Sequence, residues 1–290
     1  MTYVPLLQDL EFAYLSLRHS WATEWTGLPT VMQGSLRWLL NVEQLEPHCF
    51  EPTARLDVLL SAAEAVEEQG DGVAQQGQEP SYHNRLHIAD TVSGMACLLR
   101  TTRSLTGRND TPLGHDEFLC LLSILLHDYG HTGRINQFPR EIEQRSVDLF
   151  TPLLRSLKLS DDEVATVTGL VLGTDPGFVG DVHRKLSEVT VSDSRLIPEE
   201  MAVLVVEADI LASAMATPGE DLGKSLILEW ADGYPERAAK LGTAQGRLGF
   251  LEFGARFSSR ASKELGLHVM TLAQIKELRA RLEPQPSQAR

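Results

Sequence analysis

Residues 117–133 read EFLCLLSILLHDYGHTG. Positions 117–126 are apolar almost all round, which marks a helix buried on every side at the middle of a bundle. His127 and Asp128 then place an imidazole and a carboxylate at the end of that buried helix. Burying such a pair costs several kcal/mol unless something compensates it. A divalent cation compensates both groups: imidazole nitrogen suits zinc or iron, and carboxylate oxygen suits these as well as magnesium or manganese. The plain alternative is a helix end at which His127 satisfies the last carbonyls. Gly130 and Gly133 allow the chain to turn tightly beside the pair.

A second cluster lies upstream in Tyr82-His83-Asn84-Arg85-Leu86-His87-Ile88-Ala89-Asp90. His83 and His87 are four apart, so on a helix they share one face, and Asp90 joins them three residues later. That spacing suits two metal ligands, or one ligand beside one proton donor. An exposed pair of helical histidines is the bland reading. A further acid is needed for a nitrogen/oxygen site, and Asp209 in VVEADIL (205–211) is a charge inside an otherwise apolar helix. Glu207 is its rival, but two residues away on a helix it points elsewhere.

With both clusters in view, YHNRLHIAD and LLHDYGHTGRINQF resemble the catalytic domain of class I cyclic nucleotide phosphodiesterases. We place that family in the wider HD-domain superfamily and the chain among its bacterial-type short forms. Ile142-Glu143-Gln144, Thr174-Asp175, Ala208-Asp209 and Gly249-Phe250 extend the likeness over roughly residues 50–260. The resemblance implies an all-α, compact multi-helix bundle of the HD/phosphodiesterase type with a central metal site. It implies that His87, His127, Asp128 and Asp209 ligate a first metal, zinc, and that Asp128 bridges to a second, magnesium or manganese. It makes His83 the general acid, puts His131 and Glu143 near the waters of the second metal, and gives Tyr82, Arg247 and Phe250 to the substrate pocket. The implied reaction opens a 3',5'-cyclic nucleotide to the 5'-monophosphate through a metal-bound hydroxide. The alkoxide it expels needs a proton, which His83 can deliver.

The base side departs from the pattern. Where the family carries a purine-selecting Gln, this chain has Arg247, and Gln245 lies about 200° away around a helix at ~100° per residue. Arginine only donates hydrogen bonds, which suits guanine O6 and N7 or a second anionic group, and does not suit adenine N6. Arg247 facing solvent or Glu252 is the structural alternative. Ala212 also stands where the family often has Asn. The expected substrate is therefore cyclic GMP ahead of cyclic AMP. The alternative is a linear or non-nucleotide phosphodiester, or a phosphomonoester, handled by the same two metals.

The rest of the chain bounds these readings. Its 26 basic and 40 acidic residues give a net charge of −14, which argues against coating nucleic acid. Two divalent cations would let so acidic a protein hold a phosphate. Three scattered cysteines are neither a disulfide framework nor a thiolate zinc site. The N-terminus lacks the basic region of a signal peptide, and no apolar run reaches the ~18 residues of a membrane span. A cytoplasmic protein with a small-molecule substrate and no membrane partner is expected. Helical periodicity covers 54–68, 141–157, 161–173, 199–216, 220–240, 246–264 and 271–283, and VTVSDS (189–194) is a weak strand candidate. Residues 1–50 form an N-terminal helical extension holding three of the four tryptophans, packed on the body or serving as a homodimer contact. Residues 51–283 form the catalytic domain, and 284–290 are expected to be disordered. Fifty residues leave no room for a preceding regulatory domain. A di-iron oxygenase would need more histidines than His131, His115 and His183 supply, and an inert metal-binding module is the last alternative.

Overall fold

The computed structural model describes residues 4–191 and 195–283, the side chains of Val4 and Pro5 excepted. These residues form α1 (Val4–Thr23), α2 (Leu28–Leu40), α3 (Ala54–Gln75), α4 (Arg85–Leu105), α5 (His115–Leu126), α6 (Glu141–Ser156) and α7 (Asp161–Leu172). They continue with α8 (Val179–Ser187), α9 (Pro198–Ala214), α10 (Ala216–Trp230), α11 (Pro235–Leu241), α12 (Ala244–Gly249), α13 (Arg260–Glu264) and α14 (Leu267–Leu282). Among the described residues the only β interaction outside named strands is an isolated parallel bridge between Phe50 and Leu113. Of the weak strand candidate, 189–191 form no strand. Residues 192–194 and the 284–290 tail lie outside the described residues.

Two helices organise the core. On α5 every residue from Glu117 to Leu126 is buried, and on α4 nearly all from Arg85 to Arg103. Helices α1, α2, α5, α9 and α13 pack around α4, while α3, α7 and α9 pack on α5. The end of α5 and the start of α4 therefore meet in the interior. The N-terminal helices belong to the same buried cluster through Leu10, Tyr14, Met32 and Leu36. Their tryptophans face the body: Trp25 Nε1 donates to Glu67, while Trp21 and Trp38 lie under the guanidinium groups of Arg85 and Arg100. No single helix among the described residues is long and apolar enough to cross a membrane.

Three local expectations are corrected. The helix expected over 220–240 is split, with α10 ending at Trp230 and α11 starting at Pro235. Proline bars the residue before it from helical geometry, and Tyr234 sits at φ −142. The helix expected over 246–264 breaks into α12, a π turn over Phe250–Gly254, an irregular stretch and α13. Its cause is tertiary: the buried carboxylate of Glu207 accepts the N–H groups of Ser258 and Ser259 and the hydroxyls of Ser259 and Ser262. That also settles where Glu207 points. Lastly, His83 is not on a helix. Helix α4 begins at Arg85, capped by Asn84, whose side-chain oxygen accepts the His87 N–H at 3.1 Å.

Candidate active site

His87 reaches the centre from the first turn of α4, His127 and Asp128 from the end of α5, and Asp209 from α9. The Nε2 atom of His87 lies 3.4 Å from Asp128 Oδ2 and 3.2 Å from Asp209 Oδ1. The Nε2 atom of His127 lies 3.2 Å and 3.4 Å from the same two oxygens. Donors bound to one ion at about 2.1 Å stand about 3.0–3.4 Å apart; His87, His127 and Asp128 are close enough together to hold one cation, and Asp209 lies against both imidazoles from outside that group of three. Their other contacts point the same way. His127 Nδ1 donates to Ile124 O at 2.7 Å, which turns the Nε2 lone pair inward. Neither ring nitrogen of His87 finds a hydrogen-bond partner among the described residues, nor do His127 Nε2 and Asp128 Oδ2, although all are buried. Orphaned buried polar atoms on this scale are costly without a ligand.

Electrostatics in the absence of an ion show the same need. Burial pushes the His87 imidazole down, and Asp128 and Asp209 outweigh it, leaving His87 raised to about 9. His127 is raised as well, against the same burial, chiefly by Asp128. Burial raises both carboxylates, but the imidazoles hold Asp128 and Asp209 below the usual carboxylate range.

Beside this cluster stands a second one that could hold an ion: His83, His131 and Glu229. The rings of His83 and His131 stack with centroids 3.8 Å apart. His83 Nδ1 lies 2.5 Å from Glu229 Oε1, and Glu229 Oε2 accepts the N–H groups of Tyr82 and His83 at 2.7 and 2.9 Å. A separation of 2.5 Å is that of a charge-assisted hydrogen bond and is short for two ligands of one ion. Burial raises Glu229, and the bonds from His83 bring it below its ordinary value. His131 is driven down to about 3 by burial and by the charge of His83. The chain turns tightly here through Gly130 (φ 73) and Gly133 (φ 72); a Cβ on Gly133 would sit 3.0 Å from Glu229 Cγ.

Sequence reading missed Glu229. It lies near the end of α10 between Leu228 and Trp230, twenty residues beyond Asp209, and the only available signal was an acid at the end of an otherwise apolar helix face. Asp90 is not in the centre either. It is fully buried and held by Arg18 of α1, with Nη1 and Nη2 donating to its two oxygens at 3.1 and 2.8 Å. Glu143, on α6, is buried and pairs with the Asn136 side chain at 2.9 Å, outside both clusters. Tyr82 lies against His83 and His87, and its hydroxyl is 2.9 Å from Ser213 Oγ. Phe138, the last residue of the stretch LLHDYGHTGRINQF, is 62 % exposed.

On the base side, Arg247 points neither to solvent nor to Glu252, which pairs with Arg279 instead. Its guanidinium donates to Ser213 O, Met215 O and Gln274 Oε1. Phe250 packs with Leu248, Leu251 and Ile275 in a small second core, 5.5 Å from the Arg247 guanidinium.

Residues 82–151, which hold both histidine clusters except Glu229 and Asp209, match the family model described as 3'5'-cyclic nucleotide phosphodiesterase. The chain carries out metal-dependent hydrolysis of a cyclic-nucleotide phosphodiester. A solved structure titled "Structure of LmjPDEB1 in complex with IBMX" has a similar fold, at a TM-score of 0.57 and 14% identity over 79% of this phosphodiesterase and 86% of that chain. No curated protein sequence matches. These findings correct one expectation. The family model and the similar structure are those of phosphodiesterases, so the placement in the HD-domain superfamily, and the HD type of bundle with it, is withdrawn. The all-α fold around a metal centre is of the class I phosphodiesterase type.

Proposed function

We propose that the phosphodiesterase opens a 3',5'-cyclic nucleotide to the 5'-monophosphate, with His87, His127, Asp128 and Asp209 as ligands of a zinc ion. A magnesium or manganese ion would share Asp128, with His131 and Glu143 acting through its waters. When bound, the two cations would supply charge neutralisation at the phosphoryl oxygens and a water acidified toward neutral pH. The remaining work falls to the chain. Glu229 accepts from His83 Nδ1 and fixes the ring, so that the doubly protonated ring can give its Nε2 proton to the departing sugar oxygen and remain neutral, still bonded to Glu229. The backbone N–H groups of Tyr82 and His83 hold Glu229 in its turn. His131, kept neutral, stacks on His83 and limits its tilt.

The observation that carries this reading is the set of three orphaned atoms, His87 Nε2, His127 Nε2 and Asp128 Oδ2, beside a His–Glu pair that is already satisfied: one cluster waits for cations, the other handles a proton. A second reading, a phosphodiester without a purine, is favoured by Arg247, three of whose five N–H groups are committed to protein acceptors. A panel of cyclic AMP, cyclic GMP and bis(p-nitrophenyl) phosphate with zinc and manganese tests both. Turnover of both cyclic nucleotides within about tenfold of each other fits a base side without a reader, since a bidentate base contact is worth about 1–3 kcal/mol. Turnover of the purine-free ester alone would replace the first reading by the second.

A further inference from the structure

Helices α9 and α10 meet at 91°, separated only by Met215, which is extended at φ −72 and ψ 155. A helix end leaves its last carbonyls without partners inside the helix. At this elbow three successive carbonyls are taken by side chains from distant elements. Arg247 Nη1 donates to Ser213 O at 2.6 Å and Nη2 to Met215 O at 3.1 Å, while Gln274 Nε2 of α14 donates to Ala214 O at 2.8 Å. Gln274 Oε1 in turn accepts from Arg247 Nη2 at 3.1 Å. The guanidinium fits because position 219 is glycine: a Cβ there would stand 2.9 and 3.0 Å from Nη2 and Nη1 and would collide with Ser213 O.

The elbow separates two groups that the reaction needs. Asp209 lies one helical turn before Ser213, and Glu229 lies at the far end of α10. Tyr82 closes the circuit, its hydroxyl 2.9 Å from Ser213 Oγ and its N–H 2.7 Å from Glu229. The angle at Met215 thus sets how the His83–Glu229 pair faces the Asp209 carboxylate.

We propose that Arg247 is a positioning residue: by clamping the α9–α10 elbow it holds the His83–Glu229 pair in register with the four-ligand cluster, and it does not read the base. The inference rests on the phosphodiesterase reading above. Misplacing reacting groups by about 1 Å can cost about 10²-fold in rate. Arg247→Ala should therefore lower kcat by at least about tenfold on cyclic AMP, cyclic GMP and bis(p-nitrophenyl) phosphate alike, with KM moving less than about threefold. Bound metal, read by elemental analysis, should be unchanged. Arg247→Lys should recover part of the loss, and Gly219→Ala should reproduce it more mildly; these two variants carry the test if Arg247→Ala does not fold. A readout without turnover is the low-field proton resonance of the short His83–Glu229 hydrogen bond, which should shift or vanish in Arg247→Ala. A KM increase confined to the two purine substrates would overturn the proposal, as would an unchanged kcat in a variant that merely melts earlier. Wild-type protein inert on all three esters counts against the phosphodiesterase reading alone. The resonance then decides the clamp, and an unmoved signal overturns it.

Discussion

The His–Asp cluster and the α9–α10 elbow, the expected metal and base sides, differ in where their polar groups find partners. On the metal side, two imidazoles and two carboxylates crowd together, and the facing atoms of His87, His127 and Asp128 find no hydrogen-bond partner among the described residues. On the base side, Arg247 and Gln274 satisfy one another and three backbone carbonyls, and Phe250 is packed into a small core. Buried polar groups are normally hydrogen-bonded within the protein. A cluster that is not so bonded is built around something from outside, whereas a fully bonded one serves the fold. Arg247, expected from the sequence to stand at the base side, is thus drawn into the architecture here.

The contrast can be broken most forcefully at Asp209. Asp209→Ala should remove the first metal and all measurable turnover together, and retention of stoichiometric zinc would separate Asp209 from the cluster. Next in size is His83→Ala, which should lower turnover by about 10²–10⁴-fold while elemental analysis finds the metal still bound. Glu229→Gln, which keeps one acceptor oxygen, should fall between that variant and wild type; equal rates for Glu229→Gln and wild type would remove the glutamate from the proton path.

A pH series sharpens the same comparison. With His87 raised to about 9 in the metal-free protein, its charged form is favoured by folding. The stability it adds is full below about 6.5 and fades as pH rises to about 9. Metal binding needs the neutral ring and so strengthens over the same interval. Melting temperature should fall with pH in the metal-free protein, while the stabilisation gained on adding zinc grows. Parallel slopes would mean that His87 is not a ligand. The smallest effect is expected from Phe250→Ala. It should lower stability by about 3–5 kcal/mol or less, given partial burial, and change turnover of bis(p-nitrophenyl) phosphate by less than about tenfold, under about 1.4 kcal/mol of transition-state binding. A larger loss would return the ring to the pocket.

The metal side was legible in the sequence because its spacing is local. His127 and Asp128 are adjacent, they end the most apolar helix of the chain, and His87 opens another. Asp209 could be found as a lone charge in an apolar stretch. Its neighbour Glu207 differs only through the Ser258–Ser262 turn that it anchors, a contact fifty residues away. The same contact breaks the helix expected there, and no periodicity could have announced it. His83 was found by its spacing to His87, but the helical geometry assumed for the pair was wrong because Asn84 caps the helix after it. Glu229 stayed hidden because its meaning depends on a 91° elbow. Arg247 was noticed as a departure from the pattern, yet its partners are backbone carbonyls, to which sequence patterns are blind.

The Arg18–Asp90 bridge carries a last consequence. Asp90 sits one turn after His87, is wholly enclosed, and is held on both oxygens by an arginine from the opening helix. Detaching that helix would strip a buried anion of its bonded cation directly behind His87, a proposed metal ligand. Whatever loosens the first twenty residues, whether protease, partner or heat, would thereby be felt at the reacting phosphorus, and the start of the chain would act as a tether on its chemistry.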